Sequence, residues 1–213
     1  MKLDQFEALL SRVDALMDGR QGRKFVAIAG APGSGKSTAA DALYEALAAL
    51  HPGKVAVLPM DGFHYDDAVL HEMGRRPWKG APDTFDVGGL RSVLQRLKDP
   101  SETRVAVPVF DRQLEISRGS ARIIASDVEL ILVEGNYLLL KDEPWRQLHP
   151  YFDMTILIDV PEEELRRRLR RRWVRYGLNE EEILHKLDGN DLPNGRAVIE
   201  RSIEADIAYR SNR

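Results

Sequence analysis

Gly30-Ala31-Pro32-Gly33-Ser34-Gly35-Lys36-Ser37, followed by Thr38, is the stretch on which the reading of this chain turns. It fits G-x-x-x-x-G-K-[ST]. In that pattern glycines let the backbone wrap a chain of phosphates, successive N–H groups point at it, and the N-terminus of the next helix lies behind it. The flanks agree: an apolar run, Phe25 to Ala29, precedes the loop, and a segment rich in Ala and Leu, Ser37 to Leu50, follows it. A strand, a loop and a helix are therefore expected, rather than a glycine-rich turn that merely joins two elements. Lys36 is expected to reach the β and γ phosphates of a nucleotide, and the Ser37 hydroxyl to coordinate Mg2+.

Working outward, short apolar runs recur at Val55 to Leu58, Leu130 to Val133 and Thr155 to Ile158, with helix-length segments between most of them. Runs rich in Val and Ile without polar alternation suit strands covered on both faces, so the fold class expected is α/β, with a mostly parallel central sheet between helix layers. Asp206 to Arg210 would supply the last strand. Leu3, Phe6, Leu9, Leu10, Val13, Leu16 and Met17 recur at three- and four-residue spacing and predict an amphipathic helix within residues 1–20, whose role is packing. Residues 61–127 read as an insertion that shapes a substrate site, with a hairpin formed by Arg104 to Phe110 and Ala121 to Ala125.

Composition narrows the function classes. At about 150 residues per domain as a prior, 213 residues suggest one large domain over 1–213, or one domain with a small appendage. Lys and Arg number 31 against 34 Asp and Glu, a net charge of −3, which argues against a nucleic-acid partner. With no cysteine, thiol chemistry, iron–sulfur clusters and Cys-ligated zinc are excluded. No apolar run approaches the ~20 residues of a membrane span, so no membrane partner and a cytoplasmic location are expected. A homodimer is allowed, dimers being the commonest homo-oligomers.

Two carboxylates follow apolar runs. Asp61 comes after Val55-Ala-Val-Leu-Pro-Met60 and is expected at the carboxyl end of a central strand, where open α/β sheets bind ligands. Beside a γ-phosphate it would orient an acceptor hydroxyl and take its proton; a magnesium-holding role and a turn cap are the alternatives. Glu134 closes Glu129-Leu-Ile-Leu-Val-Glu134 and resembles a Walker-B position that holds magnesium, the bland alternative being a strand-end cap. No Asn-Lys-x-Asp guanine-reading motif occurs. Farther on, Glu162 to Tyr176 carries seven arginines after Pro161 and an acidic first turn, a set of helix signals that suits the macrodipole. Arg168, Arg172 and Arg175 fall on one face. Within a lid region, 161–188, two or three of the seven would reach the phosphates, Arg168 and Arg172 among them, and the rest would pair with nearby acids. His64, Tyr65, Phe110 and Arg112 are further candidates to face an acceptor, with an ordinary loop role for His64 and a salt bridge for Arg112 as the alternatives. Trp78 and Trp145 read as packing residues.

In order along the chain, Gly30 to Thr38, Asp61-Gly62-Phe63, Lys79-Gly80-Ala81-Pro82-Asp83-Thr84-Phe85-Asp86, Val133-Glu134-Gly135 and Asn190-Asp191-Leu192-Pro193 resemble the uridine kinase, phosphoribulokinase and bacterial pantothenate kinase family over residues 24 to 210. The pattern is most similar to bacterial proteins labelled fructose transport system kinases. The resemblance implies a P-loop NTPase fold and an ATP- and Mg2+-dependent kinase, with Asp61 as catalytic base and Lys36 and Ser37 on phosphate and magnesium. It further implies Asp86 with its neighbours in the acceptor pocket, Asn190, Leu192 and Pro193 near the adenine, and Arg172 as the leading lid arginine. Gln113-Leu-Glu-Ile-Ser117 departs from the acceptor hairpin of pantothenate kinases, so that substrate is not inherited. The function expected is transfer of the γ-phosphate to an alcohol of a small-molecule acceptor, a sugar ahead of a nucleoside or pantothenate-like compound. The rival reading is a nucleotide-dependent regulatory ATPase or switch acting on a protein partner.

Overall fold

A computed structural model describes residues 3–19 and 22–210. Among the described residues seven strands are formed, β1 (Lys24–Gly30), β2 (Val55–Pro59), β3 (Arg104–Asp111), β4 (Ile116–Ala125), β5 (Leu130–Gly135), β6 (Met154–Asp159) and β7 (Ile207–Arg210). The helices are α1 (Leu3–Asp14), α2 (Lys36–Leu50), α3 (Asp67–Glu72), α4 (Val87–Lys98), α5 (Glu162–Arg175), α6 (Glu180–Lys186) and α7 (Leu192–Arg201). Five strands make one parallel sheet in the order β2-β5-β1-β6-β7. The apolar runs of β1 and β5 are buried almost throughout, as strands covered on both faces must be. The expected α/β fold is thus present.

The helix expected within residues 1–20 spans Leu3–Asp14 and continues as a 3₁₀ turn, Ala15–Met17. Leu9 and Val13 are buried, and Phe6, Leu10, Leu16 and Met17 pack against the core. Residues 1, 2 and 20 of that expectation, and the Leu3 side chain, lie outside the described residues.

Strand order corrects one expectation. β2, which leads to Asp61, is an edge strand of the five-stranded sheet and not a central one, because β5 inserts between it and β1. Apolar runs report burial, whereas neighbour order depends on crossovers that the runs do not encode. The β3–β4 hairpin lies over this edge, with Arg122 Nη1 donating to the Val57 carbonyl at 2.9 Å. The hairpin register shifts between Val107 and Val109, at Pro108, which has no N–H for the ladder. Of the two tryptophans read as packing residues, Trp145 is fully buried, whereas Trp78 is 41% exposed under the Arg75 guanidinium, 4.9 Å from its ring.

Candidate active site

The sequence from β1 into α2 bends through Gly33 at φ +78° and Gly35 at φ +90°, values that a side chain strains and glycine adopts freely. Lys36 opens α2 directly after this turn, and the loop ends where the sheet's carboxyl edge opens. Glu134, at the same edge on β5, is registered on Ile28 of β1 and Pro59 of β2. Its carboxylate accepts from Ser37 Oγ at 3.1 Å and lies 3.7 Å from Lys36 Nζ. Burial raises its pKa against the opposing pull of Lys36, and nearby Asp61 adds to the rise.

Asp61 lies on a 3₁₀ turn, Met60–Phe63, that continues β2. Burial alone would raise its pKa, but His64, Arg112 and Lys36, together with a hydrogen bond from Arg112, outweigh it and hold the carboxyl below its ordinary value. Arg112 reaches Asp61 from the tip of the hairpin and is largely exposed. His64 Nδ1 donates to the Asp61 carbonyl at 2.8 Å, and its ring stacks between Phe85 and Phe110, with centroids 4.0 and 4.7 Å away. Burial is the main force lowering the His64 pKa, which favours the neutral ring with Nε2 free to accept.

One cavity of about 380 Å3 joins the loop end to Asp61, His64 and Arg112, while Glu134 lies behind Lys36 and Ser37, outside its lining. Pro32, Gly33, Lys36 and Ser37 form its loop-side wall, and Asp61, His64, Phe85, Phe110 and Arg112 line it as well. Arg172 of α5 and Asn190 also line it. Arg168 does not; it donates to the Ser34 carbonyl at 3.0 Å and to Glu164 at 2.6 Å, tying α5 to the loop. Leu169 of the same helix packs onto Gly33. Arg166, Arg167 and Arg170 pair with Asp188, Glu164 and Glu180, as expected of a solvated face. Arg175 turns away from the cavity and shares an outer surface with Arg167, Arg170, Arg171 and Val174.

Among the predicted site residues, Asp86, Tyr65, Leu192, Pro193, Thr38 and, within the loop, Gly30, Ala31, Ser34 and Gly35 stand apart from the cavity wall. Asp86 caps α4, its carboxylate accepting from Gly89 N at 2.7 Å; an Asp followed three residues later by a free helix N–H is a capping arrangement before it is anything else. Tyr65 contributes a backbone N–H to the Thr84 carbonyl. Leu192 is buried in the core, and Pro193, at the start of α7, is exposed, the position where a missing N–H is harmless. Thr38 is likewise outside the lining.

Sequence reading did not single out Asn136, Lys79, Trp173, Asp191 or Asn194, all of which line the cavity. Lys79 is held by Asp67 at 2.7 Å and by the Glu115 carbonyl at 2.6 Å. Its own carbonyl accepts from Asn190 Nδ2 at 3.0 Å, and Asn190 Oδ1 accepts from Asn194 Nδ2 at 2.9 Å. Trp173 Nε1 donates to Asp191 at 2.7 Å, and burial raises the Asp191 pKa. Tyr137 and Trp145 pin the 80–82 loop through the Gly80 and Pro82 carbonyls at 2.5 and 3.2 Å. The available signals were proximity to quoted motifs: Lys79 opens Lys-Gly-Ala-Pro and Asn136 follows Val-Glu-Gly.

Comparison with known proteins adds an independent line. A family profile described as an AAA domain matches residues 26–185. A crystal structure from Silicibacter sp. TM1040, provisionally named a fructose transport system kinase, is 40% identical, covers 96% of this chain and 98% of its own, and superposes with a TM-score of 0.89. A Schizosaccharomyces pombe protein provisionally named a uridine kinase is 29% identical over 99% of this chain and 92% of its own length. Pantothenate kinase from Parvibaculum lavamentivorans is 34% identical over 74% of this chain, which spans about half (51%) of that enzyme. Among the described residues, no helix is long and apolar enough to cross a membrane. With the loop, the sheet and these relatives in agreement, the chain belongs to the AAA domain family and is a P-loop small-molecule kinase of the uridine kinase and pantothenate kinase type.

Proposed function

We propose that the chain transfers the γ-phosphoryl group of ATP to an alcohol of a small metabolite, with Asp61 as the base. The observation that carries this reading is the shared cavity: the Asp61 carboxylate and the Lys36-Ser37 end of the loop line the same 380 Å3 space. As the acceptor oxygen bonds to the γ phosphorus, its proton passes to Asp61, the bond from that phosphorus to the bridging oxygen breaks, and ADP leaves. Lys36 and Arg172 are suited to the charge on the phosphate oxygens, and catalysis rests on positioning and electrostatics. The low pKa of Asp61 keeps it ionised at neutral pH, and Arg112 has to release it before a hydroxyl takes its place.

The residues fit magnesium: Ser37 Oγ and the Glu134 carboxylate are hard oxygens 3.1 Å apart, and this ion favours one or two protein oxygens together with phosphates. Those two side chains would hold it, and when bound it supplies positive charge against the phosphates. A sugar is favoured among acceptors, in keeping with the name of the 40% identical Silicibacter protein and with a wall that combines Phe110 and His64 rings with Asp61, Arg112 and Asn136. The test is ADP release by purified protein with D-fructose, D-ribose, uridine, pantothenate or D-glycerate. Acceleration by one of them, with a phosphorylated product, is expected. ATP turnover that responds to none of them would overturn the assignment.

A further inference from the structure

One amide of the loop is aimed by a side chain from the lid helix, an inference that rests on the reading of Gly30 to Ser37 as a cradle for the phosphates of a nucleotide. Most of what holds Ser34 and Gly35 lies within the loop and the turn that follows it. The Ser34 N–H donates to the Ala31 carbonyl at 3.0 Å, and the Gly35 carbonyl accepts from Ala39 N at 3.0 Å. The Ser34 side chain is buried against Gly30, where any Cβ would stand 2.6 Å from its Oγ. The Ser34 carbonyl is the exception: it accepts from Arg168 Nη1 at 3.0 Å, a partner 134 positions away in the chain.

That guanidinium is itself braced. Arg168 Nε donates to Glu164 at 2.6 Å across one turn of α5, and the next residue, Leu169, packs onto Gly33. Arg168 is not among the residues that line the cavity, so it meets the loop from the far side. A trans peptide is planar, and its C=O and N–H point in opposite directions. A carbonyl drawn towards Arg168 therefore sends the Gly35 N–H the other way, to the concave side of the loop. Gly35 does not enforce this by itself: it sits at φ +90°, and glycine adopts the opposite sign of φ about as readily, so the peptide turns over easily unless its oxygen is held.

We propose that Arg168 is a positioning residue for the nucleotide: by holding the Ser34 carbonyl it keeps the Gly35 N–H aimed at the phosphates, without touching the nucleotide itself. Successive N–H groups turned to one side are what make such a loop a site for anions, and Arg168 fixes one of them from α5. Arg172, one turn further along the same helix, lines the cavity directly. The two arginines thus serve the phosphates by different routes, one through the backbone and one by its own charge.

The test uses Arg168→Met, which keeps the stem of the side chain and removes its donors, with ADP and inorganic tripolyphosphate as probes. Both should bind about ten-fold more weakly than to the wild-type protein, the loss expected of one charge-assisted hydrogen bond, and by the same factor, because both present phosphates to Gly35. With ATP as substrate the loss in kcat/KM should fall on KM rather than kcat, as it does when uniform binding is removed. Arg168→Lys, which returns one donor, should recover most of the affinity. In NMR spectra the Gly35 amide resonance should move downfield when the wild-type protein binds ADP, and distinctly less in Arg168→Met. Unaltered affinity for tripolyphosphate in Arg168→Met would overturn the inference, and weaker ADP binding alongside it would assign Arg168 to the nucleoside instead. A Gly35 resonance displaced in Arg168→Met as far as in the wild type would also overturn it. So would a wild-type Gly35 resonance that ADP leaves in place, a result that needs no variant to fold. Wild-type protein that binds neither ADP nor tripolyphosphate would overturn the cradle reading and the inference together.

Discussion

Eight consecutive residues, Gly30 to Ser37, form the proposed phosphate cradle where one strand leads into one helix. The wall opposite takes Asp61 from the turn after β2, Arg112 from a hairpin tip, Asn136 from the end of β5 and Asn190 from a π-helical turn, Leu187–Asp191. The cradle depends on local backbone geometry. The wall depends on hydrogen bonds that cross the molecule, Tyr137 to Gly80, Trp145 to Pro82 and Asn190 to Lys79. One side is therefore built by neighbours in sequence and the other by segments that meet only in the fold.

This contrast can be broken by separating transfer from nucleotide binding. The largest effect is expected for Asp61→Asn, which should lower turnover about 10³-fold or more, within the range for loss of a general base, and leave ATP affinity nearly unaltered by calorimetry. Turnover near the wild-type level would remove Asp61 as base. Next, Lys36→Ala should cost about 10²–10³-fold in turnover, as loss of a preorganised charge partner does, and should weaken ATP binding as well. An unaltered ATP affinity would detach Lys36 from the cradle and erase the distinction between the two sides. The smallest effect concerns pH. Asp61 works deprotonated, and with its pKa held low in the free protein the acid limb of kcat/KM should lie below the usual carboxylate range. Arg112→Ala removes part of that restraint, so the limb should move to higher pH. A limb that stays in place, or moves down, would show that Arg112 does not tune the base.

Particular residues show what could be read and what could not. The apolar runs at Phe25 to Ala29 and Leu130 to Val133 became β1 and β5, because a strand buried on both faces has to be apolar throughout. The hairpin expected from Arg104 to Phe110 and Ala121 to Ala125 became β3 and β4. Asp86 belongs to a quoted motif yet serves α4 as its cap, and a motif string does not say whether a carboxylate faces a ligand or its own helix. Asn136 and Lys79 escape a reading of the sequence because an Asn and a Lys beside glycines look like loop residues until the cavity they line and, for Lys79, its partner Asp67 are in view.

The strand, phosphate loop and helix from Lys24 to Leu50 follow from short-range rules: apolar continuity, glycines at positive φ, and a Lys-Ser pair opening a helix. Those interactions join residues a few positions apart, so the amino-acid order contains them in full. The edge position of β2, the pairing of Pro59 with Glu134, and hence the meeting of Asp61, Arg112 and Asn136 at one cavity, come from contacts between segments about 50 to 75 positions apart. Such contacts exist only once the crossovers have set strand order and register, and for that reason the acceptor wall emerged with the fold.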